Sequence, residues 1–268
     1  MTLPSRKFLL LLNKAALAGI LMYGLSSINA IGQTAVGFNV ASFSSRDFDL
    51  APTDSVGVVP TANWNNLYWE SGSSSPLFTD LVDSDGNTIV GMNAQVGGSA
   101  FNYPNNTPVD GSVTMPDAIM MKFAKGSSGT GSRTFLVENA PFELYDVYVY
   151  FGGSGSSAST PYNMNVRLQE DVDGTWTDVS PTYIMTDSDH QWSGTYTRST
   201  STVAGTDSNY VVFENVDLST FRIASSNVGR RAGLSGFQIV AIPEPGYYAL
   251  GFALFTAGVV YMRRKRTA

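Results

Sequence analysis

The stretch Tyr145-Asp146-Val147-Tyr148-Val149-Tyr150-Phe151 decides the fold class of this chain. Val147, Val149 and Phe151 take one set of alternate positions, and Tyr148 and Tyr150 take the other. Apolar side chains at a period of two line one face of a strand, whereas a helix brings together residues three and four apart. Working outward, Val36, Phe38 and Val40 alternate with Gly37, Asn39 and Ala41, and Val211 to Glu214, Phe221 to Ile223 and Phe237 to Val240 continue the pattern. Each run is expected to be a strand with one face in a core. Asp85-Gly86 and Asp173-Gly174 fall between such runs and have the chemistry of tight hairpin turns. No stretch of a dozen residues keeps a helical period. One brief helical turn is expected to start at Pro116 and cover Ala118 to Met121. Gly152 to Ser159 is almost all Gly and Ser and is expected to be a mobile loop. The reading is an all-β chain.

The two ends follow a different logic. Arg6, Lys7 and Lys14 precede the uncharged run Ala15 to Leu25, the layout of a signal peptide over residues 1–30. Ser26, Ser27 and Ala30 offer a cleavage region, although Ile28 is larger than the residue favoured before a cut after Ala30. At the other end, Tyr247 to Met262 carry no charge and Arg263, Arg264, Lys265 and Arg266 follow as a basic stop. At roughly 1.5 Å per residue the run makes about 24 Å of helix, short of a ~30 Å hydrocarbon core. Snorkelling arginines and the rim tyrosines Tyr247 and Tyr248 would close that gap. Basic residues on the outer flank of both apolar runs place residues 31–242 across the membrane from the cytoplasm.

Pro243-Glu244-Pro245, the apolar run and the basic stop, in that order, resemble the PEP-CTERM sorting signal of Gram-negative bacteria over residues 243–268. The resemblance implies export, a transient C-terminal transmembrane helix and cleavage by a membrane protease, exosortase. An ordinary anchor would account for the run and the basic tail but not for Pro-Glu-Pro.

The body between these segments holds nine Lys and Arg against 21 Asp and Glu, a net charge of −12. Nucleic acid, whose phosphates need a basic surface, is thereby excluded as a partner, and so is anionic lipid. The chain has no cysteine, which removes disulfides, thiolate metal sites and thiol nucleophiles. Its stability has to come from a core, and residues 31–242 suffice for one all-β domain.

A second resemblance runs through most of the body. It is carried by Val58-Val59-Pro60, Asn63-Trp64-Asn65-Asn66, Leu81 to Gly86, Met120-Met121-Lys122, Tyr145 to Phe151, Asn209 to Phe213 and Gly236 to Val240. Together they look like a β-sandwich domain of exported planctomycete and verrucomicrobial proteins, similar to the galactose-binding-like jelly roll. The resemblance implies two antiparallel sheets packed face to face, with loops at one end able to hold a glycan and a structural calcium.

Enzyme signatures are absent: the chain has no G-x-S-x-G, no phosphate-binding G-x-x-x-x-G-K, no G-x-G-x-x-G and no H-E-x-x-H. The single histidine, His190, follows Asp187 and Asp189 in what reads as one polar loop. Glycoside hydrolysis needs only two carboxylates, and the body has five glutamates, Glu70, Glu138, Glu143, Glu170 and Glu214. Their abundance alone points nowhere.

Two candidate sites remain. Asp83-x-Asp85-x-Asn87 spaces three oxygen ligands along a glycine turn, like the first half of an EF-hand loop, and makes Ca2+ a candidate ligand. No bidentate glutamate follows at the required distance, and hairpin aspartates more often close Asx-turns. Asp171-x-Asp173-Gly174 and Asp187-x-Asp189 share that local shape. The aromatic candidate is Trp64, Asn65, Tyr68 and Trp69, because sugar rings stack on indoles while amides bond their hydroxyls. Trp176 and Trp192, beside turns, are the next in line. Tryptophans on short strands also plug sandwich cores. The expectation is an exported surface or matrix protein that binds extracellular polysaccharide or is a structural part of a biofilm. The alternatives are a secreted polysaccharide-active enzyme and a passive surface-layer protein.

Overall fold

Alternation along the strands builds two sheets that meet face to face. A computed structural model describes residues 34–40, 49–68, 76–97, 101–104, 116–126, 132–153, 161–187, 192, 194–228, 232–243 and 256. The signal peptide, Glu244, Pro245, the apolar C-terminal run apart from Thr256, and the basic stop lie outside these residues, as do Trp69, Glu70, Asp189 and His190. The strands are β1 (Ala35–Asn39), β2 (Asn65–Asn66), β3 (Leu77–Phe78), β4 (Asn93–Gly97), β5 (Phe101–Pro104), β6 (Phe123–Gly126), β7 (Ser132–Glu138) and β8 (Tyr145–Gly153). They continue as β9 (Tyr162–Val172), β10 (Thr175–Asp178), β11 (Tyr183–Asp187), β12 (Tyr210–Val216), β13 (Phe221–Val228) and β14 (Ala232–Ala241). One short helix, α1 (Pro116–Lys122), starts on the expected proline with Asp117 in its first turn. Strand β8 runs through Gly152 and Gly153, the first two residues of the stretch expected to be a loop, and the rest of that stretch lies outside the described residues.

The first sheet has the order β12-β8-β14-β1-β2, with β6 joined to β14 and β5 to β6. The second has the order β10-β9-β13-β7-β4-β3, and β11 shares the β9 edge with β10. Pairings between strands are antiparallel except β1 with β2, where Phe38 lies opposite Asn65. From β7 to β9 the chain changes sheet at each strand, and it does so again from β11 to β14.

Inward-facing residues of both sheets form one core that includes Val36, Phe38, Phe135, Val147, Val149, Met164, Val166, Ile223, Phe237 and Ile239. Phe135 of the second sheet meets Phe237 of the first at 5.7 Å between centroids, Tyr145 meets Phe221 at 5.8 Å, and Tyr183 meets Phe213 at 5.8 Å. Each buried side chain of this size contributes about 1.5–3 kcal/mol, and with no disulfide available this layer is the main source of stability.

The first sheet is also covered on its outer face, which corrects the expectation that each strand has only one buried side. A second apolar cluster joins Leu50, Val56, Trp64, Ala118, Met120, Met121, Tyr150 and Trp192. All five residues of β1 are buried. The Tyr150 hydroxyl donates to Oε1 of Gln238 and accepts from the backbone N–H of Val58 at 2.9 Å. Gln238 Nε2 donates to the Val59 carbonyl at 2.9 Å and to Thr61 Oγ1 at 2.7 Å. Asp117 accepts from the Gly57 N–H at 2.9 Å and from the Tyr196 hydroxyl at 2.5 Å. A polar network thus fastens residues 50–64, α1 and Tyr196 over the sheet. Buried polar groups are tolerated only when paired in this way.

Residues 195–209 close one side of the sandwich. Ile184 of β11 donates to the Ser201 carbonyl at 2.9 Å and Ser208 donates to the Thr186 carbonyl at 2.8 Å, while Ser199 donates to the Tyr210 carbonyl of β12 at 2.7 Å. The segment therefore bonds to edges of both sheets, where unpaired backbone groups would otherwise recruit other chains.

Candidate functional site

The outer face of the second sheet is built differently. On β9, Met164, Val166 and Leu168 point into the core, so Asn163, Asn165, Arg167 and Gln169 point outward. Asp173 and Gly174, with φ of 53° and 81°, form the turn that both residues need at positive φ. That turn pairs Val172 with Thr175 and brings Trp176 opposite Asp171 and Asp178 opposite Gln169. On the other side of β9, β13 places Arg222 opposite Gln169. Cross-strand partners share a face, so three neighbouring strands present Trp176, Asp178, Arg167, Gln169 and Arg222 together.

The contacts form a chain. The Arg222 guanidinium carbon lies 4.4 Å from the centroid of the Trp176 ring. Arg222 Nε and Nη2 donate to Gln169 Oε1 at 2.8 and 2.6 Å. Gln169, only 5 % exposed, donates through Nε2 to Asp178 Oδ1 at 2.6 Å, and the same oxygen accepts from Arg167 Nε at 2.8 Å. The amide orientation follows from its neighbours: Oε1 faces a donor-only guanidinium and Nε2 faces a carboxylate. Burial, and then the nearby positive charge of Arg167, push the Arg222 pKa below its usual value, while Asp171 and Asp178 act in the opposite direction. Trp176 remains half-buried, and no helix or strand among the described residues packs on this face.

The other aromatic candidates are placed elsewhere. Trp64 is 5 % exposed and its indole N–H donates to the Thr61 carbonyl at 2.9 Å, so it is a core residue and its ring is not offered to a sugar. Asn65 donates to the carbonyls of Gly37 and Val82 and accepts from the Val82 N–H, tying β2 to its neighbours. Asn66 accepts from the Leu50 N–H and from Asn39 Nδ2, and Asn63 holds the Ser84 carbonyl from a positive φ of 54°. The asparagines that suggested a glycan site are backbone braces. Tyr68 is 38 % exposed and its hydroxyl donates to Asp49. Trp192 is 8 % exposed, packed at 4.8 Å on Tyr196.

At the proposed metal loop, Asp83 Oδ1 accepts from the backbone N–H groups of Asp85 and Asn87, both at 2.9 Å, and Asn87 Nδ2 contacts both Asp83 oxygens. Gly86, at φ 82°, completes a turn closed by the Val82–Thr88 bridge, which makes this a longer loop than the two-residue turn of 173–174. The Asp83 carboxylate is occupied as an Asx-turn acceptor. Among the described residues no group of three or more His, Cys, Asp or Glu converges on one point. Glu214 pairs with Arg198 at 2.9 Å on an exposed surface, and Glu138 and Glu170 lie on β7 and β9.

Trp176 was a secondary candidate in the sequence, and its register opposite Asp171 follows from the Asp173-Gly174 turn. Arg222 had no signal, because only the pairing of β13 with β9 brings it there. Compared with models of known protein families and with curated proteins, the chain matches none.

Proposed function

We propose that this chain is an exported surface or matrix protein that binds extracellular polysaccharide through the outer face of its second sheet. The observation that carries the reading is the half-buried Trp176 held by Arg222 beside fixed polar groups. Sugar rings offer flat C–H faces to indoles and hydroxyls to amide, carboxylate and guanidinium groups, and a set of side chains already held in place loses little entropy on binding. The strand order β12-β8-β14-β1 against β11-β9-β13-β7 fits a jelly-roll reading of the sandwich and supports the likeness to galactose-binding-like domains.

Export and sorting belong to the same proposal. Strand β14 ends at Ala241, and Pro243 is already exposed, so Pro243-Glu244-Pro245 begins where the sandwich ends. A protease such as exosortase would find the first residue of this tripeptide, Pro243, exposed. Calcium enters through the body charge of −12, as a diffuse counter-ion rather than a ligand of Asp83, Asp85 and Asn87. We assign the protein a binding role and no catalytic step.

The test is retention of the purified body on the exopolysaccharide of the producing cell. Trp176→Ala should weaken retention about tenfold or more, because stacking on one aromatic is worth about 1–3 kcal/mol in comparable flat-ring contacts. The midpoint of thermal unfolding should move by only a few degrees. Unchanged retention in the variant would remove this face as the site.

A further inference from the structure

Arg222 has more hydrogen-bonding capacity than its neighbours consume. A guanidinium carries five N–H donors, and Gln169 Oε1 takes one from Nε and one from Nη2. Three remain, including the parallel pair formed by Nη1 and the outer Nη2 N–H. Among the described residues no carboxylate lies within ion-pair distance of Arg222, whereas Arg167 is paired with Asp178 and Arg198 with Glu214. The side chain is not free to swing: Trp176 covers one face of it, and Gln169 is itself held by Asp178. A fixed cation with an open two-pronged edge is the geometry that receives a carboxylate in two parallel hydrogen bonds.

Resting on the reading that this face binds polysaccharide, we propose that its ligand is an acidic polysaccharide whose uronate carboxylate docks end-on at Nη1 and Nη2 of Arg222, with the sugar ring against Trp176. Asp171, opposite Trp176 in the pairing of β10 with β9, and Asp178 flank the site. Their charges favour a singly charged carboxylate over a phosphate monoester, which carries close to two charges. The rest of the body, at −12, repels a polyanion, so recognition is confined to this one point and general adhesion is suppressed.

The experiment uses the full chain with polygalacturonate, its fully methyl-esterified form and poly-glutamate as probes. Retention of polygalacturonate but not of the ester, lowered about tenfold or more by Arg222→Gln and only partly restored by Arg222→Lys, is the expected result. Gln169→Glu is a second variant that supplies Arg222 with an internal carboxylate. It should lower binding of polygalacturonate by the folded protein, and, because the new carboxylate faces Asp178 where the Gln169 amide donated, the unfolding midpoint should fall as well. Equal retention of the ester would overturn the carboxylate inference and leave the polysaccharide reading standing. Retention of neither polymer would overturn both, and retention of poly-glutamate alone would show that the face reads acidic peptides.

Discussion

Trp64 fills the space directly above Gly37, where a Cβ would approach the indole Cδ2 to 2.6 Å. The tryptophan and the glycine therefore specify each other, twenty-seven positions apart in the chain. Removing the ring leaves a cavity as well as lost burial, so Trp64→Ala should cost ~3–5 kcal/mol. For a body of this size that lowers the unfolding midpoint by roughly 6–20 °C. Polysaccharide retention by the folded fraction should be unchanged, and loss of binding without loss of stability would contradict the placement of Trp64 in the core. A tryptophan among asparagines looks the same in sequence whether it faces sugar or core. What separates the two is the set of backbone groups that Asn63, Asn65 and Asn66 bond, and these groups come from β1 and from residues 50, 82 and 84.

At the scale of elements, the strand reading holds along β1, β8, β12, β13 and β14, where alternation is the direct signature of a pleated chain. The covering layer of the first sheet was not legible, because residues 50–64 carry no period and are ordered by contacts with Tyr150 and Gln238. This layer has a measurable consequence. Tyr150 and Tyr196 have pKa values pushed well above the usual tyrosine value, first by burial and then, for Tyr196, by the charge of Asp117. Tyr145 and Tyr148 shift in the same direction, again chiefly through burial. In the unfolded chain these groups ionise near pH 10. The folded state holds their protons more tightly, so its stability is intact below about pH 10 and falls as the pH rises beyond it. Thermal unfolding followed from pH 8 to 12 should show a midpoint flat with respect to tyrosine ionisation until about pH 10 and then declining. Absorbance titration should show that part of the 13 tyrosines ionises only on unfolding. A midpoint unchanged at pH 11 would mean that this layer is open to water.

Seen whole, the body begins and finishes at one place. The Ala241 N–H donates to the Thr34 carbonyl at 2.9 Å, and β1 and β14 pair from Ala35 with Val240. The folded unit is thus closed before Pro243. Glu244→Ala should yield a longer protein retained in the membrane, while the native protein should lose its tail at or near Pro243-Glu244-Pro245. Intact-mass measurement of the surface protein decides between them, and a mature form ending at Ala268 would leave only a plain anchor.

What the sequence by itself determined are the properties written in local order: period-two strands, the turn at Asp173-Gly174, the acidic and cysteine-free body, and the expectation of sorting at its ends. Tertiary structure alone decided which aromatics are core and which are surface. It also brought Arg222, Gln169, Asp178 and Trp176 onto one face. Burial and cross-strand neighbourhood depend on which strands pair and in what register, and residues 53 positions apart, such as Gln169 and Arg222, come to share one hydrogen bond only after the sheet has formed.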